Sequence, residues 1–257
     1  MSLGEQIIAL VTILRREVIR LIRIWMQTLL PPVITQTLYF IIFGKFIGSR
    51  IGDIHGISYM SFIVPGLVMM AVINGSYVNV VSSFFSSKFQ RSIEELLVSP
   101  TPNWVIIGGF VFGGVLRGLF VGAIVFAISV FFTQPSIYNI NIIALFILLT
   151  SIVFALGGLL NGILAMKFDD VSIFPTFVLT PLIYLGGIFY SIHSLPEFWQ
   201  RLSRLNPILY MVNGFRYGFH GFSDVNVITS VVILLLFAVI FTSINLFLLS
   251  KGIRLRS

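Results

Sequence analysis

Residues 225–249 read VNVITSVVILLLFAVIFTSINLFLL and contain no charged side chain. A helix needs about 20 consecutive apolar residues to cross the roughly 30 Å hydrocarbon core of a bilayer. This stretch therefore predicts a membrane-spanning helix. Five more apolar runs precede it in the chain, at about residues 26–47, 58–81, 104–132, 140–165 and 173–190. We predict an all-α integral membrane protein with six transmembrane helices in one domain.

The composition supports lipid as the solvent of this chain. Hydrophobic residues make up 57% of the 257 residues, charged residues 10%, and the mean hydropathy is +1.04. Soluble domains carry about a quarter charged residues, and a water-soluble fold could not cover so much apolar surface. The net charge of +7 comes from basic residues that flank the apolar runs. We interpret it as a signal for orientation and for contact with anionic lipids, not with nucleic acid.

The chain divides into segments of different polarity. They are an N-terminal helix (1–25), spans one and two (26–81), a polar segment (82–104), spans three to five (105–190), an outer segment (191–224), span six (225–250) and a tail (251–257). With both termini on the cytoplasmic side, ten lysines and arginines fall inside and five outside, and Arg117 lies within a span. This bias agrees with the positive-inside rule, so both termini are predicted to be cytoplasmic.

The N-terminal segment has the pattern of an amphipathic interfacial helix. Apolar residues recur at spacings of three and four, namely Ile7, Val11, Leu14, Val18, Leu21 and Trp25. Arg16, Arg20 and Arg23 follow the same spacing on another face. We expect the arginines to meet lipid phosphates and the apolar face to meet acyl chains. The alternative is a short cytosolic helix packed on a partner. Pro31-Pro32 is predicted to mark the joint between this helix and the first span.

The polar segment contains a predicted short helix. Ser92-x-x-Glu95 has the form of a capping box, and Pro100 and Pro102 end any helix that begins there. The residues alone leave open whether this helix binds a partner or belongs to a solvated loop.

Three polar residues within the spans are candidates for a transport path. Asn74 and Asn79 in the second span are costly against lipid and are predicted to face the bundle interior. Arg117 is the one charge deep in the third span, and it needs a wet cavity, a carbonyl or a carboxylate nearby. A snorkelling or structural arginine is the alternative.

Glycines recur four residues apart in the third and fourth spans, which permits close helix packing. They are Gly109, Gly113, Gly114, Gly118, Gly122, Gly157, Gly158 and Gly162. Asp169 and Asp170 then follow the fourth span. Because no further ligand lies beside them at metal spacing, we predict a helix cap or a partner contact and not a metal site.

The outer segment is too apolar and too interrupted for a simple loop. Irregular backbone at membrane depth is tolerated only inside protein or against water. We therefore predict two short re-entrant or interfacial helices before the last span, divided at Asn206-Pro207.

No catalytic motif appears in the chain. A Walker A loop, GxSxG and HExxH are absent, there is no cysteine, and His55, His193 and His220 lie far apart and are expected outside. The spans also lack the carboxylates expected of a proton-coupled carrier. We predict that the chain is not an enzyme and binds no cofactor or metal.

The order of parts resembles the type-2 ABC exporter permeases over essentially the whole chain. The tail motif carries this resemblance: Gly187-Ile188-Phe189-Tyr190, Leu195-Pro196, Leu205-Asn206-Pro207-Ile208-Leu209-Tyr210 and Arg216. The segment from Arg91 to Pro100 is similar to the coupling helix of that family. Members often have proline after the aromatic pair, where this chain has Ser191.

The resemblance implies roles for particular residues. The coupling residues that would sit in the groove of an ATPase subunit are Ile93, Glu94, Glu95, Leu96 and Leu97. The residues of the outer re-entrant motif are Gly186, Gly187, Phe189, Pro196, Asn206, Pro207 and Arg216.

The resemblance also implies an assembly in a bacterial inner membrane. Two permease chains, expected to be identical, would pair with two copies of a separate ATP-binding subunit that holds ATP and Mg. The substrate would be lipid-like, drug-like or a glycan. A self-sufficient secondary carrier or channel is the alternative, although no inverted repeat is visible, and a scaffold or membrane enzyme is a third.

Overall fold

The computed structural model describes residues 2–54 and 56–254, and these residues are predominantly helical. The predictions for Met1, His55 and the tail beyond residue 254 lie outside the described residues. The helices are α1 Leu3–Arg23, α2 Trp25–Tyr39, α3 Gly48–Ile51, α4 Tyr59–Phe89, α5 Ser92–Val98, α6 Asn103–Val130, α7 Ile140–Leu164, α8 Phe168–Phe174, α9 Thr180–Tyr184, α10 Glu197–Arg204, α11 Pro207–His220 and α12 Val227–Lys251.

Short elements connect these helices. Two π-helical segments, Phe40–Ile47 and Pro175–Leu179, join α2 to α3 and α8 to α9, and a 3-10 turn covers Ile192–Ser194. Strands β1 (Asp53–Ile54) and β2 (Ile57–Ser58) pair antiparallel, with Asp53 opposite Ser58.

Five helical stretches in the described part of the chain are long and apolar enough to cross a membrane. They are Trp25–Ile51, Tyr59–Phe89, Asn103–Val130, Ile140–Leu164 and Val227–Lys251. The remaining predicted span, about residues 173–190, corresponds to the shorter stretch from α8 through α9, whose parts have seven, five and five residues. At 1.5 Å per residue it is about 25 Å long, less than the roughly 30 Å hydrocarbon core. Residues 185–190 form turns instead of continuing the helix.

Helix α4 is the central element of the bundle. Of an 18-residue apolar stretch within α4, 83% is buried inside the bundle. The corresponding share is 17% for Trp25–Ile51 and 11% for α12. Glycines of the two flanking helices let α4 approach closely: on α6, Gly114 and Gly118 face Ser76, and on α7, Gly158 faces the backbone of Tyr77. The predicted close packing at glycines is therefore present on both sides of α4.

The boundary between α1 and α2 lies at Ile24, not at the predicted joint. Ile24 has φ −107° and ψ 26°, which ends α1, and α2 begins at the next residue. Pro31 and Pro32 lie inside α2. The fixed φ of proline is compatible with a helix, so the pair lies within α2 and removes two backbone donors there.

Contacts between helix ends define the two ends of the bundle. At the end that carries α5, Lys88 Nζ donates to the carbonyl oxygens of Ile163 at 2.9 Å and Ala165 at 2.7 Å, and Arg254 Nη1 donates to that of Leu164 at 3.0 Å. We call this the α5 end. At the opposite end, the α11 end, the backbone N–H of Asn139 donates to the carbonyl oxygen of Gly218 at 2.8 Å.

Candidate functional site

The short helix α5 is fixed to the bundle by its apolar side. Ile93 is fully buried in a cluster that includes Phe84 of α4 and Phe110 of α6. Leu96 and Leu97 are half-buried against the same cluster. Of the predicted coupling residues, Ile93 is therefore not available to enter a groove on another subunit.

The outward side of α5 is acidic. Glu94 and Glu95 are exposed, and Val98 beside them is 86% exposed. This face offers two carboxylates and one apolar side chain to a partner, which suits a basic or mixed surface.

The capping box predicted for α5 is wrong. Arg91 precedes the helix with a left-handed φ of 59° and caps it with no side-chain hydrogen bond. Ser92 is already the first helical residue, and its Oγ donates to the carbonyl oxygen of Ser87 at 3.2 Å. The hydroxyl group is held by the end of α4 because α5 follows it after a turn of only two residues.

Two of the three predicted path residues line one cavity. Asn74 and Arg117 lie in a cavity of about 250 Å³ between α2, α4 and α6, together with Gln27, Thr35 and Gln36 of α2. The Nε atom of Arg117 and the Oε1 atom of Gln36 are buried there and make no hydrogen bond with the described residues. A buried polar atom without a partner is unfavourable, so the cavity suits water or a polar ligand.

The third predicted path residue, Asn79, takes part in a different contact. Arg20 Nη2 donates to Asn79 Oδ1 at 2.7 Å and to its carbonyl oxygen at 3.0 Å. The side chain of Asn79 is thereby bound to α1 and does not line the cavity around Arg117.

Glu17 is a buried residue that the sequence analysis missed. Only 1% of it is exposed. Ser83 Oγ donates to Glu17 Oε1 at 2.6 Å, and Arg20 Nη2 lies 3.3 Å from Glu17 Oε2. The sequence carries one sign of this burial, which is a shared spacing. Ile13 and Glu17 of α1 are four residues apart, as are Gly109 and Gly113 of α6, on which they pack.

Two arginines of α1 also contact the bundle. Arg20 is bound to α4, and the guanidinium carbon of Arg16 lies 5.0 Å from the ring centre of Phe110. Both side chains face the bundle because the glycines of α6 let α1 dock closely there. The more exposed positions of α1 include apolar residues such as Ile7 and Val11.

Arg216 organises the outer motif. It is fully buried, its Nη2 donates to the carbonyl oxygen of Gly187 at 2.6 Å, and its guanidinium carbon lies 3.9 Å from the ring centre of Phe62. Gly187 has a φ of +73°, which favours glycine. The arginine thus ties the turn after α9 to α11 and α4.

Asn206 and Pro207 form the tip between α10 and α11. Asn206 Oδ1 accepts from the N–H of Ile208 at 3.0 Å, which caps α11, while its Nδ2 donates to the carbonyl oxygen of Leu182 at 2.6 Å. Pro207 is the first residue of α11, a position where its missing N–H costs nothing. The predicted division of the two helices at Asn206-Pro207 is confirmed.

The rest of the outer motif packs around this tip. Gly186 lies against Ile208, and Phe189 stacks on Phe43 with ring centres 4.5 Å apart. Pro196 directly precedes α10. Ser191 caps the following 3-10 turn by accepting from the N–H of His193 at 3.4 Å.

Pro207 and Ile208 also line an apolar cavity of about 450 Å³ together with Tyr77 and Gly157. Tyr77 lies in the interior of α4 and Gly157 in that of α7. The start of α11 therefore lies between the ends of the long helices, not beyond them.

Asp170, the second residue of the aspartate pair after α7, forms a cap. Asp170 Oδ2 accepts from the N–H groups of Met166 at 2.8 Å and Lys167 at 3.0 Å. Among the described residues there is no group of three or more histidine, aspartate or glutamate side chains that could hold a metal ion.

Comparison with known proteins identifies the family. The family described as ABC-2 type transporter matches residues 8–220, most of the chain. The chain belongs to the ABC-2 type transporter family. This confirms the resemblance seen in the tail motif, and it makes the chain a membrane permease subunit of an ABC transporter.

Individual relatives of this ABC-2 permease are similar over most of their length. The inner membrane transport permease YadH of Escherichia coli (strain K12) is 60% identical over 250 residues, which cover 97% of this chain and 98% of the relative. YadH of Shigella flexneri has the same identity and coverage. Nodulation protein J of Rhizobium meliloti (strain 1021) is 22% identical over 211 residues, 80% of this chain and 79% of the relative.

Proposed function

We propose that this ABC-2 permease is the membrane subunit of an exporter in a bacterial inner membrane, driven by ATP that a separate subunit hydrolyses. The observation that carries the proposal is the construction of α5. Its apolar side is anchored in the bundle through Ile93, and its outward side presents Glu94 and Glu95. A displacement of α5 by a partner would be passed to α4 and α6, because Ile93 packs against both.

The proposed assembly has two identical permease chains and two ATPase subunits, with both chain termini cytoplasmic. Low burial of the stretch Trp25–Ile51 and of α12, 17% and 11%, supports cover by lipid or a second chain. The proposed membrane arrangement keeps six crossings, with α8 to α9 as the short fifth, and α10 and α11 as a re-entrant hairpin. The position of the Pro207 tip beside the interior of α4 and α7 supports the hairpin.

The proposed path for the substrate includes the cavity around Arg117 and Asn74. Five of its eleven lining residues have polar side chains, its position is within the spans, and Arg117 Nε lacks a partner among the described residues. These properties suit the polar part of a lipid-like, drug-like or glycan substrate. Asn79 belongs to the proposed path only as the residue that holds Arg20.

Purification of the tagged chain from its own membranes tests the proposal directly. We expect an ATPase subunit with a Walker A loop to accompany the chain in stoichiometric amount. The double charge reversal E94K/E95K should reduce its recovery at least tenfold, since like charges at an interface cost several kcal/mol. The matched control is Glu197→Lys on α10, where the glutamate side chain is 88% exposed, and it should leave recovery unchanged. A clean preparation without an ATPase subunit after crosslinking would favour a self-sufficient carrier.

The absence of cysteine from the chain allows a second test with single cysteines. Asn74→Cys should react with a membrane-impermeant thiol reagent, and the rate should change when ATP is added to the complex. The control is Leu235→Cys on α12, a position 48% exposed and expected to face lipid, which should stay unreactive. Equal, negligible labelling of both cysteines would refute a water-accessible path at this cavity.

A further inference from the structure

A second polar cavity lies between α1 and the α5 end of α4. Its volume is about 540 Å³, and four arginines line it. They are Arg15, Arg16, Arg20 and Arg23. Hydroxyl groups of α4, among them those of Ser83 and Ser87, form the opposite wall.

The charges of this cavity do not balance. Among the described residues that line it, Glu17 is the only carboxylate, so four positive charges against one negative charge leave three in excess. Glu17 already contacts Arg20 at 3.3 Å and Arg16 at 3.5 Å. Arg16 Nη2 is buried without a hydrogen bond to the described residues, and Arg15 and Arg23 are exposed at the rim. Clustered like charges raise the local concentration of counter-ions.

We infer that this cavity binds a phosphate group, carried by the headgroup of an amphipathic molecule or free in solution. The guanidinium fork matches phosphate oxygens in two-point contacts, and the hydroxyls of Ser86 and Ser87 add neutral donors. The volume lies within the usual range for ligand sites, about 300–1,000 Å³. Ile19 and Ile22 of α1, 44% and 63% exposed, offer an apolar surface beside the arginines for the acyl chains of a lipid.

This site goes beyond the proposed export function, because it would bind phosphate whether or not the bound molecule is transported. It is also separate from the cavity around Arg117, since the two cavities share no lining residue. Its test therefore needs neither ATP nor a transport assay.

The experiment measures binding to the full-length chain in a neutral detergent by titration calorimetry. The probes are dioctanoyl phosphatidylglycerol, dioctanoylglycerol with the same chains and no phosphate, and inorganic phosphate. The test variant is R15Q/R23Q, whose side chains lie at the rim and outside the Glu17 contacts. The matched control is R201Q/R204Q on α10, which removes the same charge from exposed positions outside the cavity.

We expect phosphatidylglycerol to bind at least tenfold more tightly than dioctanoylglycerol. The R15Q/R23Q variant should lose about tenfold in affinity, the control should stay within about twofold, and added salt should weaken binding. Inorganic phosphate that displaces phosphatidylglycerol would assign the site to the phosphate group itself. Its failure to bind, with the lipid still bound, would assign the site to a lipid headgroup.

Two results would overturn the inference. One is equal affinity for the two dioctanoyl probes together with no binding of inorganic phosphate. The other is an equal loss of binding in R15Q/R23Q and R201Q/R204Q, which would indicate attraction by the overall charge. Circular dichroism and the elution profile of each variant would check that the helices remain folded.

Discussion

Replacing Gly158 by alanine should force α7 away from α4, while the same change at the adjacent Gly157 should not. A Cβ atom at Gly158 would overlap the carbonyl oxygen of Tyr77 and would lie 3.2 Å from its carbonyl carbon and 3.3 Å from its Cα. These are backbone atoms of a buried helix and cannot rotate away. A Cβ atom at Gly157 would meet nothing closer than Phe241 Cε2 at 3.6 Å, an ordinary van der Waals contact.

The comparison separates two opposing effects. Both substitutions gain helix propensity, up to about 1 kcal/mol for alanine over glycine. Only Gly158→Ala adds the cost of overpacking, typically about 1–3 kcal/mol. We expect Gly157→Ala to be neutral or slightly stabilising and Gly158→Ala to be destabilising. The free energies of unfolding of the two variants should therefore differ by about 1–3 kcal/mol.

Equilibrium unfolding of the purified chain measures this difference. The chain would be titrated with sodium dodecyl sulfate in mixed micelles, and the fluorescence of its three tryptophans would report the transition. Equal unfolding midpoints for the two variants would show that α4 and α7 are not in backbone contact at Tyr77, and the reasoning would fail.

Two further predictions concern the outer motif. Arg216→Lys should lower the free energy of unfolding by about 1–3 kcal/mol, because the lysine cannot reproduce the buried contacts with both Gly187 and Phe62. The control, Arg201→Lys at an exposed site, should have no effect in the same assay. Equal effects of the two substitutions would contradict the proposed role of Arg216. Burial lowers the pKa of His220, which lies outside the five long apolar helices, below its ordinary value of 6.5. The unfolded chain therefore takes up a proton first as the pH falls, so thermal stability should be constant above about pH 7 and decrease below about pH 6. His220→Gln should flatten that dependence, and a parallel curve for this variant would exclude His220 as the cause.

The helical architecture could be predicted from the sequence because two strong signals act locally. Long apolar runs identify the spans, since only helices and closed barrels satisfy the backbone in lipid. The Asn206-Pro207 pair marks a helix start through capping and proline geometry, and the structure agrees. The short fifth stretch was harder, because residues 185–190 are as apolar as a span while the φ of Gly187 is incompatible with a continuing helix.

Two features could not be predicted from the sequence because they depend on tertiary contacts. Ser92-x-x-Glu95 satisfies a local rule, but the end of α4 offers Ser87 as a nearer partner. Glu17 lies in an arginine-rich helix, and its burial depends on the close approach that Gly113 of α6 allows. The joint at Ile24 has no proline or glycine signal. For Ser92 and Glu17 the deciding neighbour lies on another helix, which periodicity within one segment does not report.

The two π-helical segments, Phe40–Ile47 and Pro175–Leu179, have a geometric consequence. A π turn holds one residue more than an α turn. Conversion to α-helical hydrogen bonding would release that residue and rotate everything beyond it by about 100°, one step of a 3.6-residue turn. Lys45 and Arg50 would swing around the first apolar helix, whereas the turn at Gly187 is held by its hydrogen bond with the buried Arg216. Such a rotation would thus be local to the first apolar stretch, where burial is low, while α4 remains packed between the glycines of α6 and α7.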